Sequence, residues 1–159
     1  MVILGIDPGT ADTGFGLIRC GAKKVQLISH GCIKTSNNDS PPKRLEVIYK
    51  KLLFILREYR PQVLAIESLF FNNNAKSAVA VGEAMGVVKL AAARKRVKVV
   101  DYPPLKIKMG LTGEGRASKK EIQEEVRKFL GLKEVPRPTH AADALAVAIC
   151  HWKEVKKNG

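Results

Sequence analysis

Cysteines are too few and too scattered in this chain to staple it. The three, Cys20, Cys32 and Cys150, are odd in number, lie far apart and include no C-x-x-C pair. That excludes a disulfide framework and gives no zinc-knuckle spacing, so they read as buried thiols of a reducing compartment. Long apolar runs are also lacking. The most apolar stretch, Ala141 to Cys150, is short and interrupted by Asp143, so it cannot span a bilayer. The first residues enter an apolar run directly, without the basic segment and cleavage site of a secretory leader, and the chain is read as cytoplasmic. Acidic residues are scarce, 15 Asp and Glu against 28 Lys and Arg, for a formal net charge of +13. Such an excess points to a polyanionic partner, with nucleic acid the leading one. No separate basic amphipathic segment with large apolar anchors favours a membrane surface instead.

What is present is a strongly patterned chain of 159 residues, 45% hydrophobic, with no internal repeat, low-complexity segment or linker. It reads as one domain over residues 1–159 with its own core. Three apolar runs, 2–7, 15–19 and 25–33, are joined by short turn-rich links and predict an antiparallel meander. Leu45, Ile48, Leu52, Ile55 and Leu56 recur at helical spacing and predict a helix over 42–59, broken at Pro61. A short strand over 63–67 follows, then a loop at 72–74, an Ala- and Gly-rich helix over 75–94 and a fifth strand over 97–102. Residues 103–116, with glycines at 110, 113 and 115, read as an irregular, mobile loop. Ser118 and Glu121 fit a capping box that opens a helix ending at Gly131. Thr139 reads as the N-cap of a last helix running to about residue 156. Three sequential strands followed by β-α alternation imply an α/β fold: a five-stranded mixed sheet with helices on both faces.

Two buried strands end in carboxylates, Asp7 and Glu67. Ligand sites gather at the carboxyl ends of strands in such sheets. If the two strands are neighbours, their acids sit side by side, and a divalent cation would relieve the repulsion. Asp143, read as lying in the first turn of the last helix, and His140, three residues earlier, share a helix face. Three carboxylates and one imidazole make a shell suited to two Mg²⁺ or Mn²⁺ ions. Each residue alone has a plain structural alternative, as a turn cap, a solvated strand end or a helix-dipole partner. Their joint occurrence in a strongly basic chain is much more specific than any one of them.

The segments Ile6-Asp7-Pro8-Gly9-Thr10 with Thr13-Gly14-Phe15-Gly16, Ala65-Ile66-Glu67-Ser68-Leu69-Phe70-Phe71, and His140-Ala141-Ala142-Asp143-Ala144-Leu145-Ala146 resemble the RuvC family of Holliday junction resolvases, and the similarity runs through essentially the whole chain. The resemblance implies a ribonuclease H-like fold and a homodimer that binds a four-way DNA junction and nicks two strands of like polarity. It places the family's metal-holding side chains on Asp7, Glu67, His140 and Asp143. Many family members carry Asp where His140 stands, which implies one negative charge fewer here and more tolerance of Mn²⁺. It also places basic residues near the scissile phosphate on Lys108 and Lys119, and a base-stacking aromatic on Phe70. Lys76, Arg116 and Lys120 are further candidates for phosphate contact, competing with a plain role as surface charges. Gly82, Met85 and Gly86 lie on the 75–94 helix, where two glycines four apart permit close approach, either to the sheet or, as the resemblance implies, to a second subunit. Partnership with the branch-migration motor proteins RuvA and RuvB is implied by the resemblance alone.

Three other readings compete. An actin-like or sugar-kinase-like ATPase also pairs a strand-end Asp with Gly-Thr residues, but needs two lobes and a second phosphate loop. A non-catalytic junction-binding module would have no use for clustered acids, which repel DNA. A general ribonuclease H-like nuclease acting on RNA–DNA hybrids differs in substrate.

Overall fold

Along the first strand, β1 (Val2–Asp7), successive side chains leave opposite faces of the sheet, and both faces are apolar. Leu4 and Ile6 join the core on one side, and Ile3 joins the core on the other. The structure, a computed structural model, describes residues 1–68 and 74–159. β1 pairs antiparallel with β2 (Asp12–Cys20), which pairs antiparallel with β3 (Val25–Lys34). On its other edge β1 pairs in parallel with β4 (Val63–Glu67), and β4 pairs in parallel with β5 (Lys98–Tyr102). The order is β3-β2-β1-β4-β5. Helices α1 (Pro41–Tyr59) and α2 (Ala75–Arg94) cover one face. Helices α3 (Pro104–Thr112), α4 (Lys119–Leu130) and α5 (Thr139–Asn158) cover the other. This is the expected mixed sheet flanked on both sides.

Helix α5 is the centre of the second layer. From Ala141 to His151 every residue except Asp143 is buried, the pattern of a helix enclosed on all sides. It lies close to the sheet where strand glycines carry no side chain. A Cβ on Gly5 would stand 1.9 Å from the Ala144 carbonyl oxygen, and one on Gly14 would stand 2.0 Å from that of His140. Backbone thus packs against backbone along the first two turns of α5. Neighbouring strand residues continue the same layer, with Ile3, Ile18 and Ala65 in the core cluster that contains Leu145 and Ala148.

The irregular loop expected over 103–116 is instead largely helical. Pro104 occupies the first turn of α3, where its missing N–H costs nothing, and Gly113 closes the helix in the left-handed conformation at φ 78°. Ile107 and Leu111, four residues apart, bury one face of it. Gly110 lies where a Cβ would meet Cys150 Sγ at 3.0 Å, so it is a packing residue rather than a breaker. The start of α5 also differs from expectation. Pro138 is the N-cap, its carbonyl accepting from Ala141 N–H, and Thr139 makes no capping bond. Asp143 therefore stands in the second turn, not the first. The capping box of Ser118 and Glu121 and the stop at Gly131 are as expected. Cys20 and Cys150 are buried free thiols, while Cys32 is half-buried and donates to Asp12 Oδ1 at 3.4 Å. No helix among the described residues is long and apolar enough to cross a membrane.

Two predictions follow from this packing. Gly5→Ala forces α5 off the sheet, and overpacking of this kind costs about 1–3 kcal/mol or more, read as a lower urea midpoint. His151 is buried with Nδ1 2.8 Å from the Tyr102 hydroxyl, and burial holds its pKa below the ordinary value of 6.5. The unfolded chain therefore takes up this proton before the folded one does. The stability advantage over His151→Gln should be complete above pH 6.5 and shrink below it, by at most about 1.4 kcal/mol per pH unit. Urea unfolding of both proteins at pH 7.5 and 5.5 checks the sign.

Candidate active site

Register and alternation together place the two strand-end acids. Gly5 faces α5, so Asp7, two residues on, faces it as well. Ala65 belongs to the α5-side core, so Glu67 follows the same face of β4. Ile6 is opposite Ile66 across the parallel pair, and each acid is the next residue on its strand. The close seating of α5 then brings its first two turns over Asp7. His140 Nδ1 is 2.8 Å from Asp7 Oδ2, joining residues 133 positions apart. Asp7, His140 and Asp143 each offer one ligand atom, and these atoms lie within 4.8 Å of one another. Glu67 is not part of that tight triplet, but it lines the same cleft of about 420 Å³.

The loop after Asp7 is braced by two threonine hydroxyls. Thr13, fully buried, donates to the Gly9 carbonyl at 2.6 Å. Thr35 donates to the Thr10 carbonyl at 2.5 Å and accepts from Arg44 Nε at 2.8 Å. The sequence showed Thr13 only as part of a motif, and neither Thr35 nor Arg44 carried a signal of this role.

Carboxylates packed this way are reluctant to ionise together. Burial raises the Asp7 pKa most; Asp143 adds to this, while the hydrogen bond from His140 opposes it. Burial followed by the charges of Asp7 and Asp143 lifts Glu67 to about 7, only partly offset by Lys119 and Lys108. The Lys119 ammonium donates to Asp143 Oδ2 at 2.9 Å, and this bond raises its own pKa. Lys119 is the first residue of α4, so the helix N-terminus and the ammonium bring positive charge to the same wall of the cleft. Lys108, from α3, lines it too. Pro104, Ile107, Ile122 and Ala146 supply an apolar side. Pro104 and Ile107 carry no site signal in a segment that reads as a loop, and the Ile107–Leu111 spacing is the feature that marks the helix holding them.

The remaining residues singled out in the sequence are dispersed. Lys120 is exposed on α4 and lines a separate cavity with Glu121, Glu124 and Glu125. Lys76 is exposed near the start of α2 and shares a groove with Thr10 and Arg44. Arg116 is exposed in the turn between α3 and α4. Phe70, and residues 72 and 73 of the expected loop, lie outside the described residues. Met85, 8% exposed, packs in the core beneath α2. Gly86 is exposed with open space beyond it, and Gly82 is half-buried.

In sequence and fold the chain is similar to known proteins. The sequence model of the family described as "Crossover junction endodeoxyribonuclease RuvC" matches residues 3–151. A protein of that name from Rubrobacter xylanophilus is 47% identical over 150 residues, covering 94% of this chain and 84% of its own. Another from Moorella thermoacetica is 44% identical over 162 residues, covering 99% and 97%. The solved structure of Thermus thermophilus RuvC in complex with Holliday junction substrate superposes with a TM-score of 0.94 at 40% identity, covering 99% of this chain and 96% of that one. The sheet order and helix layers are therefore those of a ribonuclease H-like resolvase. The chain belongs to the RuvC family of crossover junction endodeoxyribonucleases.

Proposed function

We propose that this chain resolves four-way DNA junctions as a homodimer, nicking two strands of like polarity and leaving 5′-phosphate and 3′-hydroxyl ends. The observation that carries the reading is the convergence of Asp7, Glu67, His140 and Asp143 with Lys108 and Lys119 in one cleft. Relatives of the same length and architecture bear the junction endonuclease name, and one was solved on junction DNA. Exposed Val79 and Leu90 on α2, with the bare backbone at Gly86, offer a surface for self-association. A two-fold dimer would present two such clefts to two strands. RuvA and RuvB as partners rest on the family resemblance and enter no step here.

The donor set fits divalent metal. Oxygen ligands with one imidazole suit Mg²⁺ or Mn²⁺, and burial has already raised two of the carboxylates toward neutrality, a penalty that cations offset. Asp7, His140 and Asp143 would hold one ion, and Glu67 would share a second with Asp7. When bound, the metal would supply an acidified water and neutralise the phosphate. The protein's own groups do the remainder. The Lys119 ammonium, 2.9 Å from Asp143, is placed to meet phosphate oxygens entering beside the carboxylates. Lys108 adds positive charge to the cleft, and Pro104, Ile107 and Ile122 line its apolar side. His140, bonded to Asp7, fixes the orientation of that carboxylate.

A labelled four-way junction incubated with and without Mg²⁺ tests the reaction, and religation of the nicks tests the end chemistry. Asp7→Asn should reduce cleavage by at least about 10³-fold while junction affinity stays within a few-fold. Retained cleavage with lost binding would overturn the assignment. Mg²⁺ at 100 times its Kd should stabilise the wild type by roughly 2.7 kcal/mol, and Asp7→Asn should abolish that increment. Restoring a fourth carboxylate with His140→Asp should shift the ratio of Mg²⁺- to Mn²⁺-supported cleavage toward Mg²⁺; an unchanged ratio would refute a role for the imidazole in metal choice.

A further inference from the structure

The opposite end of α5 carries a second concave site that the nuclease reaction does not use. Asp143 and Trp152 are nine residues apart on this helix, or about 13 Å along its axis at 1.5 Å per residue. There the β2–β3 turn, the last turn of α4 and the last turns of α5 enclose a cavity of about 550 Å³. Its lining includes five lysines, Lys23, Lys24, Lys128, Lys153 and Lys156, and no carboxylate side chain. The floor is apolar, formed by Phe129, Leu130 and Trp152, all only partly buried against the core.

The five lysines are not equivalent. Lys153 Nζ donates to the carbonyls of Gly110 and Leu111 at 3.0 and 3.2 Å and lies 5.4 Å from the centroid of the Phe129 ring. It ties α5 to the end of α3 and fixes one wall. Lys128 is paired with Glu125 at 3.0 Å. Among the described residues, Lys23, Lys24 and Lys156 have no carboxylate within ion-pair distance. The free cations thus stand on the β2–β3 turn and on the last turns of α5, above an aromatic floor held from below.

We propose that this cavity binds an acidic peptide segment of a protein partner, with one large apolar side chain seated on Phe129 and Trp152 and carboxylates on Lys23, Lys24 and Lys156. Charge complementarity selects a polyanion. The concave aromatic floor selects among polyanions, because a duplex backbone presents phosphates but no apolar group to fill it. An apolar anchor in a pocket within a rim of charged contacts is the usual division of labour at such sites. The site lies away from the acidic cleft, so a segment held here leaves that cleft free for DNA.

Trp152 is the only tryptophan in the chain, so its emission reports on this cavity directly. The test titrates the full-length protein with a synthetic octapeptide of seven aspartates and one central phenylalanine. Parallel titrations use the same peptide with alanine in place of phenylalanine, and a 20-base-pair duplex. A saturable change in Trp152 emission is expected with the phenylalanine peptide. It should be at least tenfold weaker with the alanine peptide, absent with duplex, and at least tenfold weaker for Lys24→Glu combined with Lys156→Glu. That variant should cut a four-way junction as the wild type does, which separates this proposal from the nuclease assignment. No emission change overturns the proposal. So does an equal response to the alanine peptide, which means counterion binding, or to duplex DNA, which gives the cavity to a DNA arm.

Discussion

The close seating of α5 on β1 and β2 is the constraint on which the rest depends. Two missing side chains, at Gly5 and Gly14, let helix backbone rest on strand backbone, and Asp7 continues the face on which Gly5 lies. The 2.8 Å contact between His140 and Asp7 follows from that approach, not from any local sequence feature. A methyl group at position 5 or 14 would lift the helix by more than the tolerance of a hydrogen bond. The same close fit explains why α5 is so rich in alanine: its buried face meets the sheet at a spacing that larger side chains would not allow.

A second tension runs through the active site. Three carboxylates facing DNA are unfavourable twice over, toward one another and toward the phosphates. Around them the protein sets Lys119 bonded to Asp143, Lys108 in the lining of the same cleft, and a surface carrying an overall excess of 13 positive charges. Long-range attraction from that surface acts over about a Debye length, whereas the acids act only within the cleft. Basic surface and acidic centre are thus compatible because their ranges differ. The raised pKa values of Asp7 and Glu67 record what remains uncompensated by the protein alone.

Legibility in the sequence followed physical range. β1 and α1 announce themselves through periodicity within a dozen residues, and the Ser118–Glu121 capping box through a fixed local spacing. The pairing of β1 with β4, which makes Asp7 and Glu67 neighbours, stands in the sequence only as a condition, and the parallel register of the two strands supplies it. What the sequence hid was tertiary. Gly110 and Gly113 read as breakers because nothing local says that one packs against Cys150 and the other closes a helix. Gly5 looked like any glycine in a strand, although it controls the site. Met85 lies on a helix whose small residues suit either the sheet or a second subunit, and its helical phase seats it in the core.

The placement of chemistry along α5 follows from the helix itself. A helix buried on all sides through its middle can present polar side chains only near its ends. Its early turns carry His140 and Asp143, beside the strand-end acids, and its last turns carry Trp152, Lys153 and Lys156. The N-terminal dipole suits carboxylates and the anions drawn to a metal site, while the C-terminal dipole suits lysines. Nucleic acid chemistry at one end and a basic, aromatic-floored cavity at the other thus follow from where this helix leaves polar side chains outside the core. Burial of the middle turns separates the two, so a change of charge at the lysine end alters the field at Asp7 only weakly, across many ångströms and through solvent that screens it.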